Sequence, residues 1–366
     1  MTDDIKSQPG FCYEIFKNLA FWSTKNTVGY NPCSFFNGYI TTSTDPKQAW
    51  FGPERHAIIN SVMQGELIPG CSSCYQAERA GLTSRRMSSK ELYENYHKDA
   101  DINLTDAPRA LDYSVGNLCN LKCTICYPAT SSSVNQDHKE LLKRGLESPW
   151  GNEQFPNYDW YTDERGDWLA SLPDLREVYL TGGEPMMVKG LHSFLKKLDS
   201  SVEIRFNTNG TIINPNVYEE LKRFETVNMC FSIDGIGKVN DYIRWGSDWK
   251  SIEQNMFRWA EFVKYKSIGP TVQVMNILDG HNLEQWAKQH DFEIWPNMLY
   301  NPQYFNVKNA PDTIKSQAKY FPEWVSQDAD EEQQKLFVKV IHTFDKLRNT
   351  KINNYIPEVA EAYGIN

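Results

Sequence analysis

The chain has 366 residues, of which 40% are hydrophobic and 23% are charged, and its formal net charge is −9. This composition is typical of a globular protein and not of a disordered one. The length allows one large domain with an appendage, or two domains. The acidic balance disfavours a nucleic-acid-binding protein, because neutralising phosphates requires a basic surface. The polar start "MTDDIKSQPG" and the lack of an apolar run of about 18 residues predict neither a signal peptide nor a membrane span, so we expect a cytoplasmic protein.

The region before residue 105 is irregular in pattern. Gly and Pro residues interrupt it often, and one clear helix is predicted, at "PERHAIINSVMQ". It also carries four of the eight cysteines. Without a secretion signal, clustered cysteines are more often metal ligands or redox groups than disulfides. Four of them can close a zinc site or an iron–sulfur cluster, so we expect a small metal-held module with the ligands Cys12, Cys33, Cys71 and Cys74.

From Leu111 onward, short β-branched or aromatic runs alternate with amphipathic stretches, which predicts repeated β-α units and a parallel sheet. Helices are predicted at "QDHKELLKRG", "GLHSFLKKLD", "NPNVYEELKRF", "SIEQNMFRWAEFVKY" and "NLEQWAKQH", and later around "DTIKSQAKYF" and "EEQQKLFVKVIHTFDKLR". The six predicted strands are 111–115, 177–181, 202–208, 227–234, 271–277 and 293–299.

The first of these strands runs into "VGNLCNLKCTICYPA", in which Cys119, Cys123 and Cys126 have the spacing C-x3-C-x2-C. A structural zinc site closes with four ligands, so three cysteines leave one position unfilled. An iron–sulfur cube can also be held by three thiolates, with its fourth iron open to another ligand. On this motif alone, zinc with a distant fourth ligand and a group of reduced cysteines remain alternatives.

The next strands also end in segments suited to ligand binding. "YLTGGEPMM" ends the second strand, where two glycines allow close approach of the backbone and Glu184 adds a hydrogen-bond acceptor. "FNTNG" and "FSIDG" end the third and fourth strands. Together with the cysteine loop, these segments predict a ligand site at the carboxyl ends of the strands.

In these motifs the sequence resembles the radical S-adenosylmethionine (radical SAM) superfamily, over roughly Leu111 to Leu299. The resemblance implies an α/β fold with a partial (β/α)6 barrel, and a [4Fe–4S] cluster on Cys119, Cys123 and Cys126. It further implies that the open iron chelates the amino and carboxylate groups of SAM. An electron passed to the sulfonium would then release a 5′-deoxyadenosyl radical, which removes a hydrogen atom from the substrate.

Other positions are similar to SAM-contacting positions of that family. Ile125 corresponds to an apolar residue near the adenine, and Arg244 in "DYIRWG" to an arginine near the SAM carboxylate. The segment that meets the SAM ammonium corresponds to Gly182, Gly183, Glu184 and Pro185. The polar strand ends near the ribose correspond to Asn207, Asn209 and Ser232.

The early cysteines resemble the twitch or SPASM auxiliary-cluster modules of radical SAM enzymes, here placed before the barrel as in an N-terminal-twitch subgroup. This resemblance implies a second [4Fe–4S] cluster that accepts or relays an electron. If Cys12 is not a ligand, that cluster would have an open iron able to bind substrate. A zinc knuckle that only stabilises the fold of this segment remains the alternative. The domains expected are a twitch-like module at 1–108, the barrel at 109–300 and a C-terminal helical extension at 301–366.

The eighth cysteine, Cys230, lies in "VNMCFSIDG". Alternation along this strand predicts that its side chain points into the barrel, where substrate would sit. There it is a candidate hydrogen donor to a substrate radical, or a small core residue. Other side chains predicted to face inward, for barrel packing or for binding or proton transfer, are Glu177, Tyr179, Arg205, Asn207 and Gln273. Ser84–Arg86 is expected to be solvated, with contact to an anionic substrate as the alternative.

The function expected is that of an oxidoreductase-like radical SAM enzyme acting on a peptide or amino-acid-like substrate. The auxiliary cluster would take part in oxidation or cross-linking, while epimerisation would be redox-neutral. The same chemistry on a sugar, aminocyclitol or nucleoside is the main alternative, and a non-enzymatic iron–sulfur or zinc scaffold is the second. A flavodoxin or ferredoxin is the expected reducing partner, and neither a membrane nor a nucleic-acid partner is expected.

Overall fold

The main element of the fold is one eight-stranded, mostly parallel sheet. The structure is a computed structural model, and it describes residues 2–23, 28–42, 45–79, 83–98, 101–104, 106–114, 116–157, 161–319 and 328–365. The strands in chain order are β1 (Asn18–Ser23), β2 (Val28–Asn31), β3 (Ala110–Ser114), β4 (Glu177–Thr181), β5 (Glu203–Thr208), β6 (Val227–Phe231), β7 (Tyr265–Ile268), β8 (Thr271–Val272), β9 (Glu293–Ile294) and β10 (Asn297–Met298).

In the large sheet the strand order is β2-β1-β3-β4-β5-β6-β7-β9, and β8 pairs with β10 in a separate two-stranded sheet. The six strands from β3 to β9 are all parallel to their neighbours. Six parallel strands joined by helices confirm the expected α/β fold with a partial (β/α)6 barrel.

Helices connect the strands and cover the sheet. Several begin at the side-chain caps that the sequence offers, for example at Ser131, Thr162 and Asp248, each of which accepts a bond from a backbone N–H of the first turn. The α-helices are α1 (Thr2–Lys6), α2 (Tyr13–Lys17), α3 (Pro46–Phe51), α4 (Pro53–Met63), α5 (Ser72–Arg79), α6 (Arg85–Glu91), α7 (Ser132–Lys143), α8 (Asp163–Ala170), α9 (Leu191–Lys197), α10 (Pro215–Leu221), α11 (Lys238–Ile243), α12 (Trp249–Ala260), α13 (Gly280–Gln289), α14 (Asp312–Lys315), α15 (Glu331–Arg348) and α16 (Pro357–Ala362).

The strands at the centre of the sheet have two chemically different faces. On β5 and β6, the apolar side chains Ile204, Phe206 and Met229 pack into the main core beneath the helices. Arg205 and Cys230 alternate with them and point to the other face. The alternation predicted for these strands is therefore confirmed, and the polar face lines the inside of the barrel.

The prediction of a strand over 271–277 is wrong beyond its first two residues. The fifth strand of the barrel is β7, whose first residue, Tyr265, was expected to end a helix. After β8 the chain forms a turn that the side chain of Asn276 stabilises. This side chain donates to the carbonyl of Thr271 and accepts from the backbone N–H of Gln273. Gln273 consequently lies in a turn instead of on an inward strand face.

The strand predicted at 293–299 is divided into β9 and β10. Pro296 lies between the two and has no backbone N–H to contribute to a ladder. The predicted helix around "DTIKSQAKYF" forms only as α14, and its last residues lie outside the described part of the chain. By contrast, "EEQQKLFVKVIHTFDKLR" is the complete helix α15.

The N-terminal segment is less irregular than expected, because two of its strands extend the barrel sheet. β1 pairs parallel with β3, and β2 pairs antiparallel with β1. The ring of Phe21 lies edge-on to those of Tyr30 and Tyr113, at centroid distances of 5.3 and 5.5 Å. The expected boundary near residue 108 therefore separates segments that share one sheet and part of one core.

Two smaller cores flank the main one. The first lies in the N-terminal segment and includes Tyr13, Phe16 and Ile59. The second joins α15 and α16 to the chain after β8, through buried residues such as Phe337 and Ile341. Within the described residues, no helix has both the length and the apolar character needed to cross a membrane.

Replacing Phe21 by alanine should destabilise the protein by about 3–5 kcal/mol, because the ring is fully buried between β2 and β3. Thermal and denaturant unfolding measure the change. Phe51→Ala is the matched control, since that ring is 51% exposed and its loss should cost about 0.5 kcal/mol or less. Equal effects of the two substitutions would show that the N-terminal strands are not integral to the fold.

Candidate active site

The three-cysteine loop leaves the carboxyl end of β3 and packs against the glycine-pair loop that follows β4. The backbone N–H of Gly183 donates to the carbonyl of Gly116 at 2.8 Å, and that of Glu184 donates to the carbonyl of Leu118 at 2.7 Å. A Cβ atom on Gly183 would overlap the carbonyl oxygen of Leu118. Only glycine therefore allows the two loops to approach this closely.

The carboxylate of Glu184 is buried and engaged within the protein. It accepts hydrogen bonds from the backbone N–H of Met186 at 3.1 Å, the hydroxyl of Thr208 at 2.8 Å and the backbone N–H of Asn209 at 2.8 Å. Burial raises its pKa and these hydrogen bonds lower it, with a net increase. The side chain expected to meet a ligand ammonium thus joins the loops after β4 and β5.

The ends of β3 and β5 are also connected through a triad of polar side chains. Asn209 donates to Asn120, which lies in the cysteine loop, at 3.0 Å. Asn120 donates to Thr211 at 2.8 Å, and Thr211 donates to Asn209 at 2.6 Å. Asn209, predicted to contact a ribose, is therefore used in part to position the cysteine loop.

A second segment, after α11, pairs with the cysteine loop through the backbone. The N–H groups of Lys122 and Thr124 donate to the carbonyls of Trp245 and Ile243, at 2.8 and 2.7 Å. Between those two carbonyls lies Arg244, whose Nε is 2.8 Å from Oδ2 of Asp234. This pairing brings the guanidinium of Arg244 near the cysteines.

The environment of the three thiols combines burial with hydrogen-bond donors and one cation. Burial raises the pKa of Cys119 to about 11, and it raises that of Cys123 more strongly, although the charge of Arg244 opposes the increase. The sulfur of Cys119 accepts from the N–H of Leu121 at 3.5 Å, and that of Cys126 lies 3.4 Å from the hydroxyl of Thr130. Buried thiols become thiolates only with compensating positive charge, which a bound metal supplies.

This donor set, three thiols in one loop, fits an iron–sulfur cluster. Among the residues that the structure describes, no three Cys, His, Asp or Glu side chains are arranged to hold one metal ion. A [4Fe–4S] cube instead binds each thiolate to a different iron, so three cysteines spread around a loop can hold it.

The C-terminal helix α15 contributes Arg348, which the sequence reasoning missed. Its guanidinium donates to the carbonyl of Lys122 at 2.7 Å and to the hydroxyl of Thr124 at 3.0 Å, both within the cysteine loop. Its Nε lies 3.5 Å from Asp137, which also pairs with Lys122 at 2.6 Å. The local sequence around Arg348 resembles that of other basic residues near a helix end. Only the packing of α15 against the cysteine loop therefore shows its role.

The remaining predicted site residues fall at the same end of the barrel. Asn207 on β5 is the register partner of Cys230 on β6, and Ser232 follows β6. Burial raises the pKa of Cys230, and a hydrogen bond with Ser267 lowers it, with a net increase. Ile125 is partly buried against the C-terminal core.

The structure brings the four early cysteines together, although they are up to 62 residues apart in sequence. Cys12, Cys33, Cys71 and Cys74 line one small cavity. Burial raises the pKa of Cys12 to about 12 and that of Cys71 to about 11. The four thiols thus form a second group of candidate cluster ligands, each able to bind a different iron.

The expectation that Ser84–Arg86 is solvated is wrong. Arg85 and Arg86 both line the cavity of the early cysteines. Arg85 pairs with the buried carboxylate of Glu14 at 2.9 Å, and Arg86 pairs with Glu78. Burial and then the carboxylate of Glu14 raise the pKa of Cys12 and of Cys33, whereas Arg86 opposes the increase at Cys71.

Buried acidic residues lie between this cavity and the barrel interior, and the sequence reasoning did not select Glu14 or Asp112. The backbone N–H of Ser34, next to Cys33, donates to the carboxylate of Asp112 on β3 at 3.2 Å. On β4, Glu177 pairs with Arg205 at 3.2 Å. Burial alone would raise the pKa of Glu177, but Arg205 and its other basic neighbours hold it at about 2.

Residues 113–292 match the family model described as "Radical SAM superfamily". GTP 3′,8-cyclase of Helicobacter pylori (strain ATCC 700392 / 26695) is 29% identical over 136 residues, which are 35% of this chain and 36% of that protein. Mycofactocin maturase MftC of Mycobacterium ulcerans (strain Agy99) is 29% identical over 143 residues, 38% of this chain and 33% of that protein. The chain therefore spans about a third of the length of these curated relatives.

Among solved structures, the chain is similar to Streptococcus suis SuiB bound to S-adenosylmethionine. The match covers 91% of this chain and 71% of the SuiB chain. The TM-score of this match is 0.41 and the sequence identity is 13%.

Replacing Gly183 by alanine should separate the glycine-pair loop from the cysteine loop, because the new Cβ meets a backbone carbonyl that cannot move alone. We expect a loss of about 1–3 kcal/mol in stability and less iron bound after anaerobic reconstitution. Gly145→Ala is the control, since a Cβ there meets nothing within 4 Å. It should cost stability through its φ of +68° and leave iron binding unchanged. Iron binding by Gly183→Ala at the wild-type level would contradict the prediction.

Replacing Arg348 by glutamine should loosen the cysteine loop, because two hydrogen bonds and the ion pair with Asp137 are lost. We expect a destabilisation of about 2–3 kcal/mol and fewer irons per chain, measured by thermal unfolding and iron analysis. Lys346→Gln, on an exposed position of the same helix, should change neither quantity. If both variants bind iron equally, α15 does not position the loop.

Proposed function

We propose that this chain, whose residues 113–292 match the Radical SAM superfamily model, is an enzyme that reductively cleaves SAM and removes a hydrogen atom from a bound substrate. One observation carries the proposal. The cysteine loop, the glycine-pair loop and the segment of Arg244 converge at the carboxyl ends of parallel strands, where barrel enzymes build their sites.

The proposed ligands of the first [4Fe–4S] cluster are Cys119, Cys123 and Cys126. When bound there, the cluster would supply the one-electron reduction that cleaves SAM. The chain's own contribution is to hold the three sulfurs in one loop through Arg348, the Asn120–Asn209–Thr211 triad and the pairing with Trp245 and Ile243.

The SAM molecule would be bound by groups that the chain leaves available at this end of the barrel. Among the described residues, no hydrogen bond uses the terminal nitrogens of Arg244 or the side chains of Asn207 and Ser232. We therefore propose Arg244 for the SAM carboxylate and the two strand-end residues for the ribose. The backbone of Gly182 to Pro185 would meet the ammonium, and Ile125 the adenine.

We propose Cys12, Cys33, Cys71 and Cys74 as ligands of an auxiliary [4Fe–4S] cluster in an N-terminal twitch-like module. All four thiols line one cavity, with Arg85 and Arg86 beside them. A cluster with four protein ligands has no open iron, so it would relay an electron instead of binding substrate. A flavodoxin or ferredoxin is the proposed reductant.

The proposed substrate is a peptide or an amino-acid-like molecule, with the auxiliary cluster taking up an electron in oxidation or cross-linking. Similarity to Mycofactocin maturase MftC supports a maturation reaction, and similarity to GTP 3′,8-cyclase supports a small-molecule substrate as the second candidate. Cys230, on the inner face of β6 beside Asn207, is the proposed hydrogen donor if the outcome is instead a redox-neutral epimerisation.

The proposal predicts two separable sets of iron. Anaerobic reconstitution of the wild type should give about eight irons per chain. A triple alanine variant of Cys119, Cys123 and Cys126 should keep about four and release no 5′-deoxyadenosine under dithionite. An alanine variant of the four early cysteines should also keep about four, and should still release 5′-deoxyadenosine if it folds.

Cys230→Ala is the matched control, since it removes a half-buried thiol and should leave the iron count unchanged. Zinc in place of iron in the wild type, or nucleoside release that survives the triple substitution, would overturn the proposed function. Retention of about eight irons by the early-cysteine variant would overturn only the auxiliary cluster.

A further inference from the structure

The interior of the barrel is not filled by its own side chains, although the interior of a closed barrel normally is. On the outer faces of β4, β5 and β6, the side chains of Val178, Phe206 and Met229 are buried. The inward side chains of the same strands are only half-buried, and these are Tyr179, Thr181, Arg205, Asn207, Asn228 and Cys230. Open space therefore lies directly below the strand ends that carry the candidate site.

Arg205 extends into this space from β5 with its donors only partly engaged. Its Nη1 donates to Oε1 of Glu177 at 3.2 Å, and its side chain is 36% exposed. Among the described residues, no hydrogen bond uses its Nε or its Nη2, and both atoms retain accessible surface. A guanidinium is planar and can present two parallel N–H groups to an acceptor. Arg205 is therefore held by Glu177 through one nitrogen and keeps N–H donors for a ligand.

Tyr179, the register partner of Arg205 on β4, adds a second donor in the same layer of the barrel. The guanidinium carbon lies 5.5 Å from the centre of the tyrosine ring. Burial raises the pKa of Tyr179, so its hydroxyl keeps its proton. Within the described part of the chain, this hydroxyl has no hydrogen-bond partner, and it too retains accessible surface. One ligand group with two acceptor oxygens could satisfy both side chains.

The charges around Arg205 favour a ligand group with a single negative charge. Glu177 and Glu203, at the first positions of β4 and β5, place their carboxylates one layer deeper than the two donors. The charge of Glu177, and to a smaller extent that of Glu203, raises the pKa of Arg205, which stays a cation. Glu203 accepts from Asn228 at 2.6 Å and from Tyr96 at 3.1 Å, so its oxygens are already satisfied. Both carboxylates would repel a phosphate dianion more strongly than a carboxylate.

We infer that Arg205 and Tyr179 bind a carboxylate of the substrate inside the barrel. The inference rests on the proposed function and names the chemical class of its substrate. The two donors lie two residues below Thr181 and Asn207, which corresponds to about 7 Å along the strands. A substrate anchored at this depth extends toward the strand ends and passes Cys230, the register partner of Asn207. This selects a substrate with a free carboxylate over an uncharged sugar or nucleoside and over a nucleoside triphosphate.

The test uses the reconstituted holoenzyme and three sets of probes. They are a mixture of N-acetyl amino acids with uncharged side chains, the matching mixture of N-acetyl amino acid amides, and inorganic phosphate. Ultrafiltration of each set with the protein measures the amount retained. We expect the wild type to retain the acids and neither the amides nor phosphate. Arg205→Gln should weaken binding of the acids by about tenfold or more.

Arg258→Gln is the matched control, because this exposed arginine on α12 also lies over a tyrosine, 4.8 Å from the ring centre of Tyr218. It should bind the acids as the wild type does. Should Arg205→Gln not fold, Tyr179→Phe replaces it, since that variant keeps the ion pair of Arg205 with Glu177. It should weaken binding of the acids by about threefold or more.

Four results would overturn the inference. They are no retention of any acid, equal retention of acids and amides, retention of phosphate in place of the acids, and binding of the acids by the folded Arg205 or Tyr179 variant at the level of the control. Release of 5′-deoxyadenosine from SAM under dithionite, assayed in the same samples, tests the proposed function separately. Release without retention of acids would overturn the carboxylate site alone.

Discussion

The geometry of the candidate site depends on the buried carboxylate of Glu184. Its two oxygens receive hydrogen bonds from the loops after β4 and β5, while its backbone N–H is bonded to the cysteine loop after β3. A buried carboxylate is stable only when its acceptors are satisfied. The same hydrogen bonds that satisfy it therefore fix the relative positions of three strand ends.

The C-terminal helix α15 also supports the cysteine loop. Arg348 binds a carbonyl and a hydroxyl of the cysteine loop, and its own charge is balanced by Asp137. Loops at the ends of parallel strands carry the reactive groups of barrel enzymes, and such loops need support from packed elements to keep their geometry. The residues after 300 thus act on the site although they lie outside the barrel.

The sequence anticipated those parts of the structure that depend on local pattern. The alternation in β5 and β6 placed Arg205 and Cys230 on the inner face, and the periodicity of residues 331–348 predicted the whole of α15. Prediction from the sequence failed for strands whose formation depends on long-range contacts. β7 forms because it pairs with β6, and β1 forms because it pairs with β3, and neither pairing leaves a clear trace in composition.

By itself, the sequence determined the two local motifs on which the proposed chemistry rests, because the spacing of Cys119, Cys123 and Cys126 and the glycine pair at 182–183 lie within short segments of chain. Only the tertiary structure decided which distant groups meet them. It placed Arg348 on the cysteine loop, Arg85 beside Glu14, and four separated cysteines around one cavity. The physical reason is that burial and charge pairing join residues across the whole chain, whereas a motif records only neighbours in sequence.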